Sequence, residues 1–268
     1  MKLCSIASGS SGNCTYIGTD QAHVLVDAGV SGKRINEGLA KFDICGSDLS
    51  AIFVTHEHID HVQGLGVMAR KYKIPIFATK GTIEGILSST TKGVNNIDTA
   101  LLNEIQTDRD FCFQDIVVHP FCISHDAKEP CGYTFSKGNK KIGVATDIGT
   151  FDSYIIEKLK NLNAVVLEAN HDVRMLEMGP YPYALKQRVL SDSGHLSNEN
   201  SGILLTKILH SKLKHIVLAH LSHENNMPAL AYETVKLEIN AAKSEFCADD
   251  FTIQVAKRNE ASDILYIA

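Results

Sequence analysis

The 268-residue chain is missing several features that would assign it to a class at once. No stretch approaches the ~18 consecutive apolar residues of a membrane span, so no membrane partner is expected. No basic and then apolar leader opens it; Lys2-Leu3-Cys4-Ser5-Ile6 begins a strand instead, and the expected compartment is cytoplasmic. The seven cysteines are odd in number and include no Cys-x-x-Cys pair, which excludes a disulfide framework and predicts reduced, mostly buried thiols. There is no low-complexity tract, and Ser88 to Asp98 is at most a polar surface connector. Overall basicity is absent too. A formal charge of −5 and a pI near 6.2 argue against a partner held by global positive charge, so any nucleic-acid contact must rest on local cations.

A hydrophobic content of 44% is enough for a sizeable core, and one domain spanning 1–268 is expected. Two similar halves are legible. Strands are predicted at Lys2 to Ala7, Cys14 to Gly18, Ala22 to Asp27, Ala51 to Thr55 and Ile76 to Ala78, with helices near Gly32 to Lys41 and Val62 to Tyr72. A second series runs at Ile116 to Ser124, Gly132 to Ser136, Lys141 to Thr146, Ala164 to Ala169, His215 to His220 and Phe251 to Val255. Its helices fall near Phe151 to Asn161, Asn198 to Ser211 and Met227 to Phe246. The segment Asp172 to Gly194 reads as short loops. Gly9-Ser10-Ser11-Gly12-Asn13 reads as a tight turn in preference to a phosphate-binding nest. The fold class is α/β, with sheets flanked by helices in a four-layer αββα sandwich.

The densest chemistry lies at residues 51 to 61, Ala-Ile-Phe-Val-Thr-His-Glu-His-Ile-Asp-His. An apolar strand empties into three histidines and an aspartate. Each divalent ion needs about four ligands held close together, and two ions ~4 Å apart clamp both sides of a displacement. His56 and His58 at i and i+2 reach one side of an extended chain, and Asp60 and His61 follow beside the next helix. The zincin pattern does not match.

This His-x-His-x-Asp-His element resembles the second motif of the metallo-β-lactamase superfamily, and further motifs follow in that family's order over nearly the whole chain. The resemblance implies that Asp27, ending the run Ala22 to Gly29, orients the histidine loop from behind. It implies a ligand at His125, within Phe121 to Tyr133, where Asp126 and Cys122 are the competitors. It implies a bridging ligand at Asp147 and a closing ligand at His220. One ion would take His56, His58 and His125, the other Asp60, His61 and His220, with Zn²⁺ or Mn²⁺ as the metal.

Ser191 to Gly202, Ser-Asp-Ser-Gly-His-Leu-Ser-Asn-Glu-Asn-Ser-Gly, resembles the phosphate-contacting histidine loop of nucleolytic members. That implies catalytic work for His195 beside Asp60 and Asp147, with Glu168 orienting it. Together with Glu168-Ala-Asn-His and His-Leu-Ser-His-Glu-Asn-Asn at 220 to 226, it is similar to the WalJ/YycJ (VicX) subgroup. The implied activity is 5′-to-3′ DNA exonuclease action with a role in mismatch repair. About seventy residues separate Asp147 from His220, too few for an inserted nucleic-acid-binding domain. Substrate contact would fall to His171, Arg174, Lys186, Arg188 and Ser197, where cations mix with Tyr181 and Tyr183. The competing readings are a phosphodiesterase for cyclic or mononucleotide esters, an RNA-processing nuclease, and a metal-stabilised regulatory domain. No obligate protein partner is expected.

Overall fold

The computed structural model describes residues 1–268. In chain order the elements are β1 (Lys2–Ala7), β2 (Cys14–Gly18), β3 (His23–Val26), α1 (Gly32–Ala40), β4 (Ala51–Phe53), α2 (Ile59–Val62), α3 (Leu65–Tyr72), β5 (Ile76–Thr79), α4 (Lys80–Ser88), β6 (Leu102–Ile105), β7 (Phe111–Phe113), β8 (Ile116–Cys122) and β9 (Cys131–Lys137). They continue as β10 (Lys140–Ala145), α5 (Ser153–Lys158), β11 (Ala164–Glu168), α6 (Val173–Met178), α7 (Tyr183–Leu190), α8 (Asn198–Ile208), β12 (His215–Ala219), α9 (Pro228–Ala241), β13 (Thr252–Val255) and β14 (Leu265–Tyr266). Two compact units result. The first holds Met1–Cys122, Ala127–Tyr133 and Lys257–Ala268, the second Ile123–Asp126 and Thr134–Ala256. No helix is long and apolar enough to cross a membrane.

The first unit contains a seven-stranded sheet in the order β14-β1-β2-β3-β4-β5-β6. Pairing is antiparallel from β14 to β3 and parallel from β3 to β6, with Leu25, Ile52, Ile76 and Leu102 in one row. Apolar runs such as Val24-Leu25-Val26 and Ala51-Ile52-Phe53 are wholly buried, as expected of strands covered on both faces. The second sheet has the order β13-β12-β11-β10-β9-β8-β7, and its parallel rows pair Val144 with Val166 and Val166 with Val217. Strand β9 begins in the first unit and ends in the second.

Where the sequence predicts one helix from Val62 to Tyr72, the chain makes two, α2 and α3, separated at Gly64. Gly64 N donates to Ala28 O at 2.8 Å, and a Cβ there would meet Val30 O at 2.1 Å. The break is a backbone-to-backbone contact that only glycine permits. The segment Asp172 to Gly194 is not loop but α6 and α7: the Asp172 carboxylate caps α6 by accepting from Met175 N, and the link between them carries Pro180 and Pro182. The prediction of mostly buried cysteines also fails. Cys4, Cys14 and Cys131 are buried, but Cys45, Cys112, Cys122 and Cys247 are exposed: Cys112 lies in the edge strand β7, Cys122 ends β8, and Cys45 and Cys247 each precede a short helical turn.

Phe53 stacks with Phe77 at 5.1 Å between centroids and meets Tyr133 edge-on at 5.6 Å. The Tyr133 hydroxyl donates to Val54 O at 2.7 Å, tying β9 to the residue after β4 just ahead of the histidine run. Both groups are buried, so removing the hydroxyl leaves the carbonyl without that donor. Tyr133→Phe is expected to cost about 1–2 kcal/mol and to lower the thermal midpoint by about 3–6 °C, measured by circular dichroism.

Candidate metal centre

Parallel strands of an open α/β sheet place functional groups at their carboxyl ends, and each unit does so here. In the first unit Asp27 directly follows β3, and His56 follows β4 after Val54 and Thr55. Asp27 takes a left-handed φ of 63°, an uncommon conformation that aspartate tolerates better than most residues. Its N–H donates to Phe53 O at 2.8 Å, and its buried carboxylate accepts from Thr55 N at 2.8 Å, Thr55 Oγ1 at 2.9 Å and His61 Nδ1 at 2.7 Å. Burial pushes the Asp27 carboxyl above its ordinary range while the adjacent His61 opposes the rise.

The histidine loop lies in front of this carboxylate. Ring centroids of His56 and His58 are 4.6 Å apart, those of His56 and His61 4.1 Å, and Asp60 Oδ2 is 3.5 Å from His61 Nε2. The loop can lie so flat because position 29 is glycine: a Cβ there would fall 1.7 Å from Asp60 O. Asn13 braces the other side, its N–H donating to Asp60 O at 2.8 Å and its Nδ2 lying 3.2 Å from His61 Nε2.

In the second unit Glu168 ends β11, fully buried, and four groups donate to it. Oε1 accepts from His195 Nδ1 at 2.8 Å and His220 Nδ1 at 3.1 Å; Oε2 accepts from Ile148 N at 2.8 Å and Leu196 N at 3.2 Å. Burial alone would raise its pKa, but His195 and then His220 reverse the shift and hold the carboxyl well below the ordinary range. His220 and Asp147, like Asp27, sit just beyond strands in left-handed turns, at φ 57° and 60°. His220 Nε2 is 3.3 Å from Asp147 Oδ1, and His125 Nε2 is 3.9 Å from the same oxygen. Asp147, Glu168, His195 and His220 each present one donor atom within 4.8 Å of all the others.

These residues suit a divalent metal by the chemistry of their donors. His56 Nδ1 meets Thr55 Oγ1 at 3.0 Å, His61 Nδ1 meets Asp27, His125 Nδ1 meets Gly194 O at 3.2 Å and His220 Nδ1 meets Glu168. With Nδ1 donating to an oxygen, the lone pair of each ring is on Nε2, the arrangement by which metal-binding imidazoles are oriented.

Other predicted residues are placed differently. His171 is 1% exposed and in a bridge with Ser197, and burial lowers its pKa to about 4 against the opposing charge of Glu168. Ser197 is buried and caps α8 by accepting from Asn200 N. Both therefore lie beneath the surface, which corrects the expectation that they touch a polymer. Arg188 pairs with Asp126, the competitor of His125, and Lys186 Nζ donates to Glu177 O at 2.7 Å. Arg174 is exposed, as is Cys122.

Sequence reasoning missed Thr55, Asn13, Asn170 and Asn226. Asn170 Nδ2 donates to His220 O at 2.9 Å, and Asn226 Nδ2 donates to Ala169 O at 2.9 Å and Asn170 O at 3.0 Å. The signal available was the polar residue directly before the histidine run, and asparagines flanking Glu168 and His220 in stretches that bury otherwise apolar chain.

Residues 22–223 match the family model of the beta-lactamase superfamily domain, and the chain belongs to this metallo-β-lactamase-fold hydrolase superfamily. Within it the similarity is to two bacterial proteins. Exodeoxyribonuclease YycJ of Bacillus anthracis is 42% identical over 238 residues, 86% of this chain and 86% of that protein. Exodeoxyribonuclease WalJ of Streptococcus pneumoniae is 41% identical over 234 residues, 87% and 86% of the two chains. The crystal structure of the metallo-β-lactamase fold protein YhfI from Bacillus subtilis superposes with a TM-score of 0.70 at 14% identity, over 97% of this chain and 98% of that one, which establishes the shared fold.

Asp27→Asn keeps a residue that accepts the left-handed φ but loses the charge behind His61. Affinity for Zn²⁺ or Mn²⁺, measured by competition with a chromophoric chelator, is expected to fall about 10- to 100-fold.

Proposed function

We propose that the chain is a dinuclear metal-dependent phosphodiester hydrolase that removes nucleotides from the 5′ end of DNA in the cytoplasm, with a part in mismatch repair. The ligand set is the one the family's motifs imply: His56, His58 and His125 for one ion, Asp60, His61 and His220 for the other, and Asp147 for both. Zn²⁺ and Mn²⁺ both suit these nitrogen and oxygen donors. Two such ions, when bound, supply a nucleophile at neutral pH and positive charge for the oxygens around phosphorus.

The observation that carries the reading is the His195–Glu168 pair. His195 is 17% exposed at its side chain, against 2% or less for His125 and His220, so it is the imidazole of its cluster that a substrate can meet. Glu168 accepts the Nδ1 proton at 2.8 Å and fixes the ring's orientation. His195 Nε2 then donates a proton to the oxygen that departs from phosphorus. Asp147 Oδ1 lies 3.6 Å from the same His195 Nδ1. Arg174, Lys186 and Arg188 lie on and beside α6 and α7, where Tyr183 is 77% and Met178 87% exposed, a mixture that suits stacked bases and phosphates. The names of the two bacterial relatives support DNA as the polymer and exonucleolytic cutting as the mode.

The test uses protein reconstituted with Zn²⁺ or Mn²⁺ on 5′- and 3′-labelled DNA and RNA, with His58→Ala as the inactive control. Stepwise loss of nucleotides from a DNA 5′ end is expected, with His195→Ala slowed about 10²- to 10⁴-fold. Intact polymers alongside turnover of bis(p-nitrophenyl) phosphate would instead favour a small-diester substrate.

A further inference from the structure

The metal chemistry leaves the tip of the α6–α7 hairpin unexplained. Met178 ends α6 at 87% exposed, Tyr183 begins α7 at 77%, and Pro180 and Pro182 between them are exposed as well. From Met178 to Leu185 no residue carries a charge. A run of exposed apolar groups, unlike single scattered ones, marks a surface that something else covers.

The hairpin is rooted at both ends on the metal centre of the second unit. At its start Asp172 N donates to Asn225 O at 2.9 Å, in the segment that follows His220; at its end His195 N donates to Val189 O at 3.1 Å. Leu176 and Val189 are its buried anchors. Beyond them the tip is stiff. Lys186 Nζ, one helical turn past Tyr183, donates to Glu177 O at 2.7 Å and ties the two helices together. Position 179 admits only glycine, since a Cβ there would meet Met175 O at 2.6 Å and Asn225 Oδ1 at 2.7 Å, and the two prolines fix φ through the turn.

The charges on the hairpin suit a polyanion. Its two helices hold one acid, Glu177, against Arg174, Lys186 and Arg188, of which Arg188 is paired with Asp126. The centre that the hairpin borders is recessed: the side chains of Asp147, Glu168 and His220 are no more than 2% exposed and that of His195 is 17% exposed. A strand reaches such a centre more readily once it is freed from its complement.

We infer that the tip is a strand-separating wedge: Met178 and Tyr183 press on the terminal base pair of a DNA duplex and part it, so that the 5′ strand alone passes to His195. Apolar side chains that enter a base step unstack it, and a tyrosine ring holds a freed base by its face. The inference rests on the nuclease reading above and adds the end of a duplex as the form of substrate that the hairpin handles.

The experiment has two readouts on the full-length protein. In EDTA, binding is followed on a duplex that carries 2-aminopurine in the complementary strand, opposite the second nucleotide from the 5′ end, where loss of stacking raises its fluorescence. The wild type is expected to raise the signal, Tyr183→Phe to keep the rise, and Met178→Ser/Tyr183→Ser to bind without it. With metal restored, the rate on duplex relative to the rate on single strands is expected to fall about 10- to 100-fold in the serine variant, the worth of one lost stacking contact. Both side chains are exposed, so the serine variant is expected to melt as the wild type does. An equal rise in the serine variant, or an equal loss of rate on both substrates, would overturn the inference. So would wild-type dimers that the serine substitutions dissolve, seen by light scattering, which would assign the tip to a second copy of the chain. A wild type that degrades single strands and neither opens nor degrades the duplex would overturn the wedge and leave the nuclease reading standing; a wild type inactive on every polymer would overturn both.

Discussion

A carboxylate taken out of water must be met by donors, and this requirement organises the functional end of both units. Glu168 is fully buried and met by two imidazoles and two backbone amides; Asp27 is nearly so and met by His61 and by Thr55 twice over. Desolvation of a lone carboxylate would cost several kcal/mol and drive it to take up a proton. The donors oppose that, reversing the shift at Glu168 and limiting it at Asp27, and in doing so each imidazole is turned so that its Nδ1 faces the acid and its Nε2 faces away. Orientation of the ligands is thus a by-product of satisfying the two buried charges.

The chain reaches these positions at some conformational cost. Asp27 and His220, directly after apolar strands, and Asp147, separated from β10 by Thr146, adopt left-handed φ values. Such residues cost on the order of 1–3 kcal/mol each and persist where the surroundings over-determine them. Here the surroundings are specific. Ile148 N after Asp147 is held by Glu168, the His220 carbonyl by Asn170, and the Asp27 amide by the Phe53 carbonyl. The buried pair Asn198–Asn226, at 3.0 Å, ties the His195 loop to the segment after His220.

The strands were the most legible part of the fold in the sequence. Lys2–Ala7 and Cys14–Gly18 have the boundaries predicted because apolar runs there meet glycine or polar residues at once. Helix α4 was missed because Gly81, Gly85 and Thr82 dilute its helical character; Gly85 is there for packing, since a Cβ would meet Glu57 Cγ at 2.5 Å. Helices α6 and α7 were missed because Gly-Pro-Tyr-Pro between them reads as loop throughout. At the site, the histidines announced themselves by density, and Glu168 and His195 by family resemblance. The second imidazole on Glu168 was not legible, nor was the pairing of Arg188 with Asp126, because each depends on where a turn brings together residues more than fifty positions apart.

The measurement that bears most directly on this account is the number of divalent ions held per chain, by elemental analysis of wild-type protein and of His61→Ala after loading and removal of excess metal. Two equivalents in the wild type, falling to one or fewer in the variant, is the predicted result. Less than one equivalent in the wild type would contradict the view that the buried carboxylates orient these imidazoles for metal.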